Sequence, residues 1–158
     1  MLKNIFSQLT VHQEKQQETF LALEISSDVI KSAVWTVREA RTKVVKTGSI
    51  EEWKEEDKNS LMNAVDASIS NASEGIKPEP NKIIFGLPEN WIQGKEIKEE
   101  KKALLKNLCQ KLALKPLGFV VTLEALIAFL KEKEGTPVSA IFITLTEEQI
   151  VVSLTHLG

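Results

Sequence analysis

The chain has a single cysteine, Cys109, and no tyrosine. One cysteine excludes an internal disulfide, so packing and hydrogen bonds must hold the fold, and the usage fits a reducing compartment. An excess of charge of one sign is also missing. Twenty Lys and Arg against 22 Asp and Glu leave a net charge of −2, which denies the chain the basic face that a general nucleic-acid grip requires. No apolar run approaches the roughly 18 to 20 residues that span a bilayer. The opening, Met1 to Thr10, is too short and too polar for a signal peptide. A cytoplasmic protein is expected. What is present is ordinary for a globular chain: 42% apolar and 27% charged residues over 158 positions, enough for one domain with a substantial core.

Leu2, Ile5, Phe6 and Leu9 share one helical face before the sequence turns polar through Glu18, so residues 1–19 are expected to be an amphipathic, then polar, arm. Three β-rich runs follow. Leu21, Ala22, Leu23 and Ile25 are apolar on both faces apart from Glu24, as in a central strand. Ile30, Ser32, Val34 and Thr36 alternate with Lys31, Ala33, Trp35 and Val37, a period of two with one drier face. Thr42 to Ser49 carries Lys43 and Lys46, the mark of an outer strand.

Beyond a charged stretch, Leu61, Val65, Ser68, Ile69 and Ala72 recur at helical spacing, and Gly75 and the Pro78-Glu79-Pro80 loop close that helix. A short buried strand follows from Lys82 to Leu87, stopped by Pro88. The spacing predicts a second helix over Ile97 to Ala113 and a strand over Leu117 to Val121. Thr122 is placed to cap a third helix, whose Leu126, Ile127 and Leu130 would face the core until Gly135. Two further strands, Ser139 to Leu145 and Gln149 to Thr155, flank Thr146-Glu147-Glu148. The order βββαβαβα predicts an α/β fold. Its mixed sheet would have the first three strands antiparallel and the rest parallel, with flanking helices and a C-terminal β-hairpin.

In that order the chain resembles the actin-like ATPase superfamily, within the wider ribonuclease H-like architecture. It is most similar there to the branch of the type IV pilus assembly protein PilM and the cell-division protein FtsA. Leu21-Ala22-Leu23-Glu24-Ile25-Ser26-Ser27-Asp28-Val29-Ile30-Lys31 resembles the first phosphate loop, Asp-Ile-Gly-Ser-Ser-x-Ile-Lys. Phe85-Gly86-Leu87-Pro88 resembles a strand ending in Pro, and Val120-Val121-Thr122-Leu123-Glu124-Ala125 a strand leading into a helix that opens with Glu-Ala. Ala140 to Gly158 resembles the hairpin of the second phosphate loop.

The resemblance implies a first lobe over residues 20–135 and a hairpin, 136–158, that begins a truncated second lobe. It implies ATP and Mg as cofactors, with Glu24, Ser26, Ser27 and Lys31 at the phosphate loop and Glu24 as the metal-side carboxylate. The departures bear on activity. Glu24 stands in place of Asp and Ser26 in place of Gly, while Thr144-Leu145-Thr146-Glu147-Glu148-Gln149 has neither the Asp nor the glycines of the second loop. Glycine lets a backbone reach phosphate without a Cβ in the way, and acidic side chains repel a triphosphate. Binding is therefore expected to be weak or lost, and no catalytic residue is assigned.

The implied function is a non-catalytic or weakly nucleotide-binding scaffold in pilus assembly or cell division. It would bind a protein partner or the missing lobe and sit in the cytoplasm at the inner face of the membrane through partners. An active Mg-ATP-binding ATPase is the alternative. A ribonuclease H-like nuclease is a further one, with Glu24 as first metal ligand and Glu89 or Glu124 as second. Each candidate also has a plain reading: Glu24 as a solvated carboxylate at a strand mouth, Ser26-Ser27-Asp28 as turn chemistry, and Cys109 as a small core residue. His12 and His156 lie too far apart to suggest a pair. Core packing is expected of Trp35, Trp53 and Trp91, with the latter two as candidate partner anchors. Lys95 to Lys102 reads as a solvated helix face with i,i+4 pairs.

Overall fold

A computed structural model of the chain describes residues 18–135, 137, 139–145 and 150–156. The amphipathic arm, His12 and the Thr146-Glu147-Glu148-Gln149 turn lie outside the described residues. The chain opens with β1 (Thr19–Ile25), β2 (Val29–Arg38) and β3 (Arg41–Thr47), then a short β4 (Glu51–Glu52). Next come α1 (Lys58–Ser73), β5 (Lys82–Leu87), the small hairpin β6 (Ile92–Gln93) and β7 (Glu96–Ile97), and α2 (Glu99–Lys111). The last elements are β8 (Lys115–Val121), α3 (Thr122–Glu134), β9 (Ala140–Leu145) and β10 (Ile150–Thr155).

The main sheet runs β3-β2-β1-β5-β8, with β4 also paired to β2. β1–β2 and β2–β3 are antiparallel; β1–β5 and β5–β8 are parallel. Leu23 stands opposite Phe85, and Phe85 opposite Phe119, so the register runs straight across the parallel half of the layer. The fold is thus α/β, with a mixed sheet, helices and a separate C-terminal strand pair in which β9 and β10 are antiparallel.

One face of the sheet is dry. Leu21, Leu23 and Ile25 of β1, Ile30 and Val34 of β2, and Ile83, Phe85 and Leu87 of β5 are buried there. They pack against Leu61, Val65, Ile69 and Ala72 of α1 and Leu105, Leu108 and Cys109 of α2. The side chain of Asp57 caps α1, accepting from the Asn59 amide at 2.8 Å. Ser32 and Ser68 are paired on this face, as burial demands, whereas the buried Ser73 Oγ at the end of α1 has no partner among the described residues. Ser32 Oγ bonds the Ser68 carbonyl at 2.9 Å and meets Ser68 Oγ at 2.8 Å. Ser68 Oγ also donates to the Ser49 carbonyl at 2.7 Å, and the Gly48 amide donates to the Ser32 carbonyl. This serine cluster is the seam between α1, β2 and the exit of β3.

Three expectations are corrected. β1 is central, but only one of its faces is buried: Phe20, Ala22 and Glu24 are half-exposed. The opposite sheet face carries the Phe20–Trp35 stack, with ring centroids 4.7 Å apart, and Trp35 is half-buried where core packing was expected. Secondly, α3 has no buried residue, so Leu126, Ile127 and Leu130 do not form core; Leu126 is 42% exposed. Thirdly, Thr122 is the first residue of α3 and makes no cap; its hydroxyl donates to the Leu87 carbonyl at 3.3 Å instead. The side chain bridges neighbouring parallel strands because β8 ends level with β5.

Candidate functional site

Parallel strands end on a common side, and in open α/β sheets the crevice beyond their carboxyl ends is where ligands gather. Here that rim is built from the β1–β2 turn, the segment after β5 and the start of α3. Glu24, Ser26, Ser27 and Lys31 all belong to it. Glu24 pairs in register with Lys31 across the hairpin and with Gly86 of β5. Its carboxylate lies 3.5 Å from Lys31 Nζ, both side chains being partly exposed. A Cβ added at Gly86 would meet Glu24 Cα at 3.6 Å and Thr122 Oγ1 at 3.4 Å, so Gly86 leaves the space beside Glu24 on the open face of the sheet.

The turn itself is tied to the protein. The Ser26 amide and hydroxyl both donate to the Val29 carbonyl, at 3.0 and 2.8 Å. The Trp53 indole N–H donates to the Ser26 carbonyl at 3.0 Å, and the Trp53 amide to the Asp28 carbonyl at 2.9 Å. Ser27 Oγ reaches only its neighbour, Asp28 Oδ1, at 3.5 Å. A loop that cups phosphate turns successive backbone amides toward the ligand. In this turn one amide and one hydroxyl are spent internally, and the Lys31 cation faces the Glu24 carboxylate. The arrangement makes a corner tied by internal hydrogen bonds, in which Glu24 and Asp28 stand against Lys31, a net charge of −1.

Sequence reasoning placed these four residues at one turn, and the structure brings them together there. Glu89 follows β5 and Glu124 lies in the first turn of α3, both exposed. Among the described residues no group of three or more His, Cys, Asp or Glu side chains converges as a metal set. His156 is exposed, with Nδ1 3.3 Å from Ser139 Oγ.

Two features escaped the sequence. Trp53 and Trp91 are buried, as core packing predicts and an exposed anchor does not, but their mutual edge-to-face contact at 6.5 Å was not foreseen. Lys101 lies over the Trp91 ring, 4.9 Å from its centroid, and pairs with Glu55. In the run read as a solvated face with i,i+4 pairs, Lys101 therefore seals the aromatic pair instead, and Lys102 pairs with Glu99 three residues away. That pairing, first by hydrogen bond and then by charge, raises the pKa of Lys102. The only signal for the Lys101 contact was that Trp53 lies within one charged stretch and Trp91 just ahead of another, and nothing local links the two.

The second feature is a groove of about 420 Å³ between α2 and the β5–β8 edge, lined by Phe85, Leu105, Cys109, Leu114 and Phe119 with Lys102 and Lys106 among its polar groups. Its lining includes Leu114 and Pro116 at the beginning of β8 and none of Glu24, Ser26, Ser27 or Lys31. Cys109 is only 8% exposed there, and burial pushes its thiol pKa up. The thiolate is the reacting form, so at pH 7.5 iodoacetamide is expected to alkylate native Cys109 at under about a tenth of the rate seen in denaturant. Because the folded thiol keeps its proton to higher pH than the unfolded one, its contribution to stability is present below the ordinary thiol range and is lost as pH rises through the folded value. Equal alkylation rates with and without denaturant would show the thiol to be open to solvent.

No family model matches the chain, and no curated protein matches it. Among solved structures the chain is similar to the Aquifex aeolicus PPX-GPPA enzyme, with a TM-score of 0.48 and 7% identity, over 89% of this chain and 49% of that one. It is also similar to YeaZ from Pseudomonas aeruginosa, with a TM-score of 0.39 and 18% identity, over 86% of this chain and 64% of that one. The chain spans about half the length of the first and under two thirds of the second.

Proposed function

We propose that the chain is an actin-like scaffold, a domain with the layout of the first lobe of an actin-like ATPase that binds nucleotide weakly or not at all and works by holding a protein partner. In this reading it belongs with the pilus-assembly and cell-division branch and acts in the cytoplasm, meeting the inner face of the membrane through its partners. The strand order and the place of the Glu24–Lys31 turn at the end of the central strand support the layout. The observation that carries the functional reading is the turn's internal bonding. Ser26 spends its amide and hydroxyl, donors of the kind a phosphate needs, on the Val29 carbonyl, Trp53 ties the turn through the Ser26 carbonyl, and Glu24 and Lys31 neutralise each other. A triphosphate would have to break a pair worth at most about 1 kcal/mol. It would still find no glycine within the turn itself at which to approach the backbone.

Calorimetric titration of the chain with Mg-ATP is expected to give no saturable heat up to about 1 mM, an affinity weaker than about −4 kcal/mol. Lys31→Ala is expected to change nothing. A dissociation constant below about 100 μM that Lys31→Ala weakens tenfold or more would favour the alternative, a Mg-ATP-binding ATPase. One observation supports that alternative: Glu24, Ser26, Ser27 and Lys31 share a rim with Gly86 beside them and the Thr122 hydroxyl close by. Metal-dependent cleavage of nucleic acid that disappears in Glu24→Gln would favour the nuclease reading over both.

A further inference from the structure

β9 and β10 form a ribbon apart from the main sheet. Their register pairs Ile141 with Leu154, Ile143 with Val152 and Leu145 with Ile150. Paired residues of a ribbon point to the same side, and so do residues two apart, so these six aliphatic side chains make up one whole face. All six are in solvent: Ile141 is 66% exposed, Ile143 64%, Leu145 69%, Ile150 68%, Val152 62% and Leu154 76%. The other face carries Ala140, Phe142, Thr144, Val151, Ser153 and Thr155. Four of these, Ala140, Phe142, Ser153 and Thr155, are half-buried. The ribbon therefore shields the face that bears hydroxyls and bares the face that bears none, the reverse of a surface made only for water.

We propose that this face is the interface of a homodimer, in which the ribbons of two copies stack face to face into a four-stranded sandwich. At the usual worth per unit area, burying one such side chain removes about 60 to 120 Å² from water, so six contribute roughly 400 to 700 Å² per chain. Twice that reaches the roughly 1,000 Å² expected of a biological interface. The face also suits its own copy. A two-fold interface sets the same patch against itself, which a strip bearing any charge would resist and this uncharged strip does not. The Ile143–Val152 pair is central, so under a two-fold axis through the middle of the ribbon it meets the central pair of the other copy. A different protein would have to supply an equally bare aliphatic strip. A second copy carries it already. The inference is independent of the nucleotide question, since the ribbon face includes none of the rim residues.

Sedimentation velocity and light scattering on the full chain at about 10 to 100 μM, the range in which interfaces of this size associate, are expected to report a dimer. Ile143→Asp and Val152→Asp each place a charge at the centre of the face and are expected to weaken dimerisation at least 100-fold, as loss of a central interface residue does. Thr144→Asp lies next to Ile143 in the same strand but on the other face, and is expected to leave the dimer intact. All three positions are on a surface ribbon, so the thermal melts of the main domain should coincide. A wild-type chain that stays monomeric throughout this range overturns the proposal, whatever else covers the ribbon. So does a dimer that survives both aspartates, or one that Thr144→Asp disrupts equally.

Discussion

Gly48→Val is expected to cost about 3 to 5 kcal/mol of stability, read as a lower urea midpoint at unchanged slope. A Cβ at Gly48 would fall well inside contact distance of Ser32 Oγ and the Ser68 carbonyl, and 3.0 Å from Ser68 Oγ. Ser68 and Ser32 are 0% and 6% exposed. Neither can swing into solvent, and the carbonyl belongs to the backbone of α1. Relief would require α1 to lift from β2 or Ser32 to give up both its bonds to Ser68, which leaves buried hydroxyls unpaired at about 1 to 3 kcal/mol each. On a total of about 5 to 15 kcal/mol, such a loss unfolds a substantial fraction of the chain. Gly118 of β8 provides the comparison. A Cβ there meets nothing within 4 Å, and Gly118→Ala is expected to shift stability by less than about 1 kcal/mol. If the two glycines proved equally tolerant, the serine seam would not be the close-packed joint described.

The second large effect is expected at Trp53. Trp53→Ala removes a buried indole, its edge-to-face contact with Trp91 and its bond to the Ser26 carbonyl. The expected loss is about 3 to 5 kcal/mol. Trp53→Phe separates the parts, since it keeps a ring for Trp91 while deleting the N–H and some of the indole's volume. That variant is expected to lose about 1 to 3 kcal/mol and to speed amide exchange at Ser26 and Ile30 at the base of the turn. If it left exchange there unchanged, the indole would not be what holds the turn. If it also created Mg-ATP binding, the tied turn would be established as the block on phosphate.

Much of this fold could be read directly from residue patterns. The alternation in Ile30, Ser32, Val34 and Thr36 marked the drier face of β2, and all four are buried. The spacing of Leu61, Val65, Ser68, Ile69 and Ala72 marked the inner stripe of α1, and those five are buried as well. Both patterns are local periodicities, which the chain carries within one element. The misreadings concern which surfaces meet. An apolar β1 can be covered on one side or two, and the sequence of β1 is the same in either case. The stripe on α3 is visible in its sequence, yet the helix finds no core to join. Thr122 precedes a helical pattern as a cap would, but its hydroxyl sits within reach of the end of a strand 35 positions earlier.

The candidate site divides in the same way. Its members are neighbours along the chain and were legible as a turn. The Glu24–Lys31 pair was legible too, by counting, because a hairpin that closes with Ile25 opposite Ile30 sets Glu24 against Lys31. The hold that Trp53 exerts on Ser26 spans 27 positions and depends on β4 lying beside β2, a two-residue strand too short for any periodicity to reveal.

The two borders of the main sheet bear on how copies of this molecule can join. The outermost strand on one side begins Lys115-Pro116, where an imino residue has no hydrogen to offer and a cation repels a like neighbour. The outermost strand on the other side presents Arg41, Lys43 and Lys46 along an exposed length. Lateral growth of the layer into fibrils is thereby discouraged at both ends, and any self-recognition by this domain is steered away from strand-to-strand zippering.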